Sequence, residues 1–570
     1  MSLRPRRLLS LVVAVAALAA CAPASVAAAP SFSDHADLRV VSQKQLDARL
    51  LAVTVSTPAL GSTANIRILL PADYGADPGR RYPVFYLLHG TSGGASDWTG
   101  LGDAEKATAG LPLIVVMPDI ALNDNGGGWC TNWYNGGARG VPEWETFHID
   151  ELIPWIDHNL ATIAGRDGRA IAGLSQGGFC SMSYAARHPD LFATALAYSG
   201  APDIAYDPEV VAPSTAIINA TEVFLDGVPA NSMFGDRASE EINWADHDPA
   251  TLAGNLRSTD LFMYTGNGQP GPLDPSPVNP GATSIEAMVG QDNEYFHNRL
   301  GSLGIPSFYD NYGPGTHTWP YWTRDLQQSV APIMADFAHP PPMPSRITYT
   351  IADAQYAVFG WQVTMHRNAE EFSTLEDADA RGFALAGSGS GTVVTPPSYT
   401  PGASYTLTLR GDTVEKSSTE TAGPDGRLHI DVPLGPPNPY QQDTAAANAT
   451  GTRTYTTTVG IADHGRPART VPGARAGRAC TGRRAVTIHI HLPPGATVTA
   501  VRLRINGRRH SARLRRGDVR VSLASLPAGT YRLKLAVHFR RGRRTGIIRA
   551  GRTRHTCRPR TRRRRGSIRP

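Results

Sequence analysis

Acidic side chains are nearly missing from the last hundred residues. Between residues 471 and 570, Asp518 is the single acid against 28 Lys and Arg, a net of +27. The preceding 470 residues carry 27 basic and 48 acidic side chains, a net of −21. The formal charge of +6 over 570 residues therefore hides two parts of opposite sign, which excludes reading the whole chain as a basic protein. Long apolar runs are also missing: beyond the first thirty residues no segment approaches the roughly 20 apolar residues of a membrane-spanning helix. Cysteine is scarce, five in all with no C-x-x-C spacing, which argues against a zinc site. What is present in quantity is hydrophobic surface, 41% of residues, which excludes collagen-like and wholly disordered classes. At this length more than one domain is expected, since single domains run to ~50–250 residues.

The first 29 residues read as a signal peptide. Arg4, Arg6 and Arg7 precede an apolar run from Leu8 to Ala20, too short to span a bilayer, and Ala27-Ala28-Ala29 offers a small-residue cleavage site. Leu18-Ala19-Ala20-Cys21 also has the form of a lipobox, so lipidation of Cys21 stands beside simple secretion. Either way the protein is expected outside the cytoplasm, secreted or envelope-associated. There Cys130, Cys180, Cys480 and Cys557 meet oxidising conditions. Of the three connectivities, domain logic favours Cys130 with Cys180 and Cys480 with Cys557.

Residues 38–338 alternate short apolar runs with helix-compatible stretches. The runs are Tyr82–Leu88, Leu113–Met117, Ala170–Leu174 and Leu261–Tyr264; Phe147–Asn159 and Gly178–Arg187 are expected helices. Runs apolar on both faces and bounded by Gly and Pro suit a buried parallel sheet, hence an α/β fold. Residues 339–345, with Pro340-Pro341-Pro342 and Pro344, form a stiff linker. Beyond it, short β-branched and aromatic runs such as Tyr405–Leu409 and Tyr455–Val459 predict an all-β sandwich over 346–465. A second, basic β module is expected over 480–557. Val501-Arg502-Leu503-Arg504-Ile505 alternates apolar and arginine there, as a half-exposed sheet does. Residues 558–570 read as a disordered arginine-rich tail.

Gly173-Leu174-Ser175-Gln176-Gly177 matches G-x-S-x-G, with an apolar run before it and a helical stretch after it. A nucleophile elbow needs that context: the sharp turn strains the serine backbone, and the flanking glycines avoid clashes. A serine hydroxyl needs a base, found C-terminal to it in the order Ser, acid, His. Of the histidines, His317 in Gly315-Thr316-His317-Thr318 suits this role. His188 reads as a surface residue, His247 as a structural cap, and His297 as part of a helix. Asp236, Asp248, Asp274 and Glu286 all lie between Ser175 and His317, and position alone does not choose among them. The backbone amides of Gln176 and Thr91 are the expected oxyanion donors. This chemistry calls for no metal and no cofactor.

Several strings together resemble the secreted bacterial mycolyltransferases of the antigen 85 group, within the esterase D branch of the α/β hydrolases. They run from about Leu70 to Phe337. In order they are Trp133-Tyr134, Trp144-Glu145-Thr146-Phe147, the Ser175 elbow, Asn231–Gly235, Asp248-Pro249, Tyr264–Gly268 and Gly315–Trp322. The resemblance implies Glu286 as the acid, with Asp274 second. It also implies Thr91 and Gln176 as the oxyanion pair. Trp319, Phe234 and Trp133 are expected at the substrate pocket, core packing being the alternative for Trp319. His89 and Gln176 depart from the group, which carries an acid and a methionine there. The expected function is an exported serine esterase acting on a lipid or polysaccharide ester through a Ser-His-Glu triad. An acyltransferase delivering to a sugar or glycerol is the alternative. A catalytically inert envelope-binding protein is the alternative of another class. The basic C-terminal module is expected to bind anionic wall polymers or lipid head groups; nucleic acid is not an expected partner.

Overall fold

The computed structural model describes residues 30–122, 125–463, 485–490, 497–506, 508–515, 518–522, 529–541 and 544–556. The expected signal peptide with Cys21, both Cys480 and Cys557, and the tail 558–570 lie outside the described residues. The chain divides into two compact units, Met1–Thr470 and Val471–Pro570.

A nine-stranded sheet organises the first unit. Its strands are β1 (Arg39–Gln45), β2 (Leu50–Thr57), β3 (Ser62–Leu69), β4 (Val84–Leu88), β5 (Ile114–Pro118), β6 (Arg169–Leu174), β7 (Thr194–Tyr198), β8 (Asp260–Thr265) and β9 (Phe308–Asn311). They lie in the order β1-β2-β3-β5-β4-β6-β7-β8-β9. From β5 to β9 every pairing is parallel; β1, β2 and β3 add an antiparallel flank. The four expected strands correspond to β4, β5, β6 and β8. Successive residues of β4 enter different cores, as the period of two requires. Tyr86 and Leu88 pack with Phe179 and Met182 of helix α1 (Gln176–Arg187) and with Phe296 and Leu300 of α2 (Pro280–Leu303). Phe85 and Leu87 pack with Trp322, Leu326 and Ile333 of α3 (Trp319–Ala338). The sheet is thus buried on both faces, which explains runs without polar alternation. The expected helix at 147–159 is a π-helical segment, Thr146–Leu152, continuing into an α-helix, Ile153–Asn159.

Beyond the proline linker the unit is mainly β, as expected, with one short helix, Ala445–Thr450. A six-stranded sheet is built from Ile347–Ile351, Ser373–Asp379, Gly382–Gly387, Tyr455–Asp463, Ser404–Gly411 and Glu415–Thr421. A four-stranded sheet comprises Gln355–Val358, Trp361–His366, Gly389–Val394 and His429–Gly435. Leu375, Leu385 and Val459 of the first sheet share one core with Trp361, Val393 and Ile430 of the second. This β region belongs to the same compact unit as the α/β part. Asn255 exchanges two hydrogen bonds with the backbone of Thr350 (2.8 and 2.9 Å), and Asp246 accepts from the Ala352 amide at 2.6 Å. Arg166 donates to Pro341 O in the linker at 3.0 Å.

In the second unit the described strands form a three-stranded and a four-stranded sheet around Ile488, Val519, Leu533 and Leu535. Leu503 and Ile505 are buried while Arg502 and Arg504 are exposed, so the alternation seen in the sequence is realised.

Candidate active site

The parallel strands end at one edge of the sheet, where chain reversals leave backbone groups and side chains facing outward. Four of these ends carry the candidate residues.

At the end of β6, Ser175 joins the strand to α1 with φ +53° and ψ −121°, a conformation an L-residue adopts only when its surroundings enforce it. The surroundings are visible. A Cβ on Gly173 would lie 2.3 Å from the backbone of Gly177, and one on Gly177 would lie 2.2 Å from His89 O. The Ser175 amide is pinned by Tyr198 O at 2.9 Å. The elbow therefore needs glycine at both flanks for contact reasons, and Gln176 stands first on the helix, where amides are unsatisfied.

The loop after β9 carries His317. Its Nδ1 lies 2.7 Å from Glu286 Oε2. Facing a carboxylate, that nitrogen holds the proton, which leaves Nε2 as the basic position. Glu286 comes from the second turn of α2 and is fully buried. Its other oxygen accepts from the Ser199 hydroxyl (2.9 Å), the Thr265 hydroxyl (3.2 Å) and the Gly266 amide (2.6 Å). Burial pushes the Glu286 carboxyl up; the His317 hydrogen bond and charge, with the Gly266 and Ser199 donors, outweigh it and hold it below the ordinary range. It is therefore an ionised acceptor at neutral pH. Ser199 and Thr265, at the ends of β7 and β8, were not singled out from sequence. Their one signal is position, at the end of an apolar run.

Asp274, the second choice for the acid, does a different job. It accepts from the Thr316 hydroxyl, from the Gly271 amide (2.6 Å) and from Tyr321 Oη (3.3 Å), so it anchors the residue before His317. Asp248 caps a turn, accepting from Ile204 N and from Thr251. Asp236 accepts from the Ala238 amide in a local turn.

Thr91 follows the end of β4, and its hydroxyl meets the Gln176 side chain at 2.7 Å. Trp319 is half-buried and packs edge-on against Trp98 and Trp322; Trp322 in turn stands edge-on to His317 at 4.9 Å. Phe234 is fully buried between Trp244 and Phe179, and Trp133 is buried with its indole N–H on Gly128 O. Both belong to the buried core on one face of the sheet. His188 is not a free surface residue either: Nε2 binds Glu145 at 2.7 Å and the side chain is one-quarter exposed. His247 is buried against Asn243 O and Thr131. Cys130 and Cys180 form a disulfide with a Cα separation of 5.5 Å, the expected pairing. Among the described residues no group of three or more His, Cys, Asp or Glu is arranged to hold a metal ion. No helix among them is long and apolar enough to cross a membrane.

Comparison with known proteins places the chain in a family. The Esterase family model matches residues 57–333. Esterase Rv1288 of Mycobacterium tuberculosis is 34% identical over 296 residues, covering 50% of this chain and 59% of that protein. The chain thus spans under two thirds of that relative's length. MPT51/MPB51 antigen of Mycobacterium bovis is 31% identical over 252 residues, covering 42% of this chain and 75% of the antigen. Diacylglycerol acyltransferase/mycolyltransferase Ag85B of Mycolicibacterium smegmatis is 33% identical over 232 residues, covering 38% and 65%. The chain belongs to the antigen 85/esterase family of hydrolases.

Proposed function

We propose that the protein is a serine esterase in which Ser175 attacks an ester carbonyl, His317 removes the serine proton and Glu286 orients the imidazole. The observation that carries this is the His317–Glu286 pair, 2.7 Å apart, at the sheet edge where Ser175 occupies a strained strand-to-helix elbow. The Thr91 and Gln176 amides are the oxyanion donors in this reading, and His317 returns its proton to the leaving alcohol. Water then releases the acyl group from Ser175. A bound sugar or glycerol in place of water makes the same residues an acyltransferase; the similarity to Ag85B supports that branch. The substrate is a lipid or polysaccharide ester. Replacing Ser175 by Ala is expected to abolish turnover of p-nitrophenyl esters and labelling by a fluorophosphonate. Turnover retained by Ser175→Ala would sink the reading, and wild-type protein that does not label would favour an inert binding protein.

The remaining parts fit an exported enzyme. Residues 1–29 serve as the signal, with Cys21 as a lipid anchor if cleavage falls before it. The two sheets of 346–465 pack as a sandwich, a reading supported by their shared core. The basic module over 480–557 tethers the enzyme to anionic wall polymer or lipid head groups. Deleting residues 471–570 is expected to release the protein from cell-wall preparations and leave ester turnover intact; retention on the wall would overturn the tether.

A further inference from the structure

Gln176 has a side chain as well as an amide, and the side chain is almost wholly buried, at 2% exposure. In the amide orientation that satisfies both ends, its NH2 donates to Thr91 Oγ1 at 2.7 Å. Its oxygen accepts from the backbone N–H of Gly128 and Trp129, each at 3.2 Å. It therefore joins two loops: the one that follows β4 and the one at 125–130. The second loop is held from other directions as well, among them the Gly127 amide donating to Asp226 Oδ1 at 3.0 Å and the Gly128 amide to Ile120 O at 2.9 Å. Cys130 is bonded to Cys180, four residues beyond Gln176 and so on the same face of α1. Ser92 donates to Gly126 O from its amide and to Asn125 O from its hydroxyl, both at 3.1 Å. The packing is close: a Cβ on Gly127 would lie 2.3 Å from the end of the Gln176 carboxamide. The backbone is costly as well, since Ser92, Trp129 and Cys130 all carry positive φ (61°, 47° and 51°). Three strained residues around one buried amide indicate a conformation that the amide and the disulfide over-determine.

We infer that the Gln176 side chain is a positioning residue for the oxyanion donors. Its backbone amide supplies one donor, and its carboxamide fixes the Thr91 loop that supplies the other, using the 125–130 loop as a brace. The inference rests on the proposed serine-esterase reading, and goes beyond it by giving the side chain of the residue after the nucleophile a function. Physically, an oxyanion donor contributes fully only when preorganised; losing one outright costs about 10²–10³ in kcat, and loosening one costs less.

The test uses full-length protein, p-nitrophenyl ester turnover, and fluorophosphonate labelling as a check that Ser175 is intact. Gln176→Met keeps the volume and removes all three hydrogen bonds. It is expected to lower kcat about 10- to 100-fold with KM within about twofold of wild type. Thr91→Val is expected to give a similar loss, of which Thr91→Ser, which keeps the hydroxyl, recovers most. The double variant Gln176→Met/Thr91→Val should be no slower than the worse single variant, because both break one link. Wild-type kcat in Gln176→Met, or multiplicative losses in the double variant, would overturn the inference while leaving the esterase reading standing. Turnover surviving in Ser175→Ala would instead remove the reading itself, and this inference with it.

Discussion

Gly177 shows what a single missing side chain does. Its Cα sits where a methyl group would lie 2.2 Å from His89 O and 2.8 Å from Leu88 O, both rigid backbone atoms at the end of β4. Gly177→Ala must therefore push the nucleophile helix away from the sheet. Overpacking of this kind costs about 1–3 kcal/mol, and chemical denaturation should show a loss in that range. Turnover should fall with it, since Ser175 and the Thr91 loop ride on the same contact. Glu286 argues the opposite kind of case, a side chain whose charge matters more than its volume. Glu286→Gln can keep acceptor contacts to Ser199, Thr265 and Gly266 but loses the charge that faces His317 Nδ1. A fall in kcat on the order of 10³–10⁴, with the fold retained by circular dichroism, is expected if it orients the base. At this scale the sequence was informative where chemistry is local. The glycines around Ser175 could be read from the motif. The choice of Glu286 over Asp274 came from the family resemblance and not from position, because both lie in the permitted interval and their difference is which loop they meet.

Helix α1 is the element on which most of the site depends. Its N-terminus carries Ser175 and Gln176, its middle carries Cys180, and its C-terminus carries Arg187. The disulfide closes a loop with a sequence separation of 50, for which the chain-entropy account gives about 4 kcal/mol. Cys130→Ser/Cys180→Ser, or full reduction, should lower the unfolding free energy by an amount of that order. Little change would mean that the brace is redundant. Arg187 is 5% exposed and binds Glu145 (2.7 Å), Asp246 (2.5 Å) and Asp353 (2.8 Å). Burial works against the guanidinium charge, but these three carboxylates outweigh it and hold it firmly protonated. Asp353 lies beyond the proline linker, so the end of the nucleophile helix is fixed partly by the β region. Arg187→Met leaves Glu145 and Asp246 buried without their cation. The expected cost is about 3–5 kcal/mol in equilibrium unfolding, far above that of a surface ion pair. Polyproline and a change of texture announced a boundary, and the textures do differ, yet composition carries no record of the ion pairs that cross it.

For the whole molecule, buried acids shape the pH response, and three of them, Asp203, Asp248 and Asp292, interact with one another. Burial, helped by neighbouring Asp248, raises Asp203 to about 8. Burial raises Asp248 to about 6, and burial with the Asp203 charge raises Asp292 well above the ordinary range. Arg237, which acts on Asp248, opposes this only in part. Each group binds its proton more tightly folded than unfolded. Their contribution to stability is therefore complete below the unfolded carboxyl range and drains away as pH climbs toward about 8. Asp203→Asn removes the largest resolved part of that loss. The variant should unfold at a higher temperature than wild type at pH 8, with the advantage gone by pH 5. Equal melting temperatures at pH 8 would refute this.

The sequence by itself determined the class of each part and the nature of its chemistry. Runs apolar on both faces demand a sheet covered on both sides, and alternating Arg and Leu demand a sheet covered on one. A serine between glycines after a buried strand demands an elbow. These are consequences of local periodicity and local sterics, and they survive any tertiary arrangement. Only the tertiary structure decided the contacts that hold Glu286 against His317, that Phe234 and Trp133 sit in the core, that the β region joins the α/β part in one unit, and that Gln176 reaches Thr91 and the 125–130 loop. Each of these depends on contacts between residues tens to hundreds of positions apart. Such contacts are fixed by how whole elements pack, a quantity no short window of sequence contains.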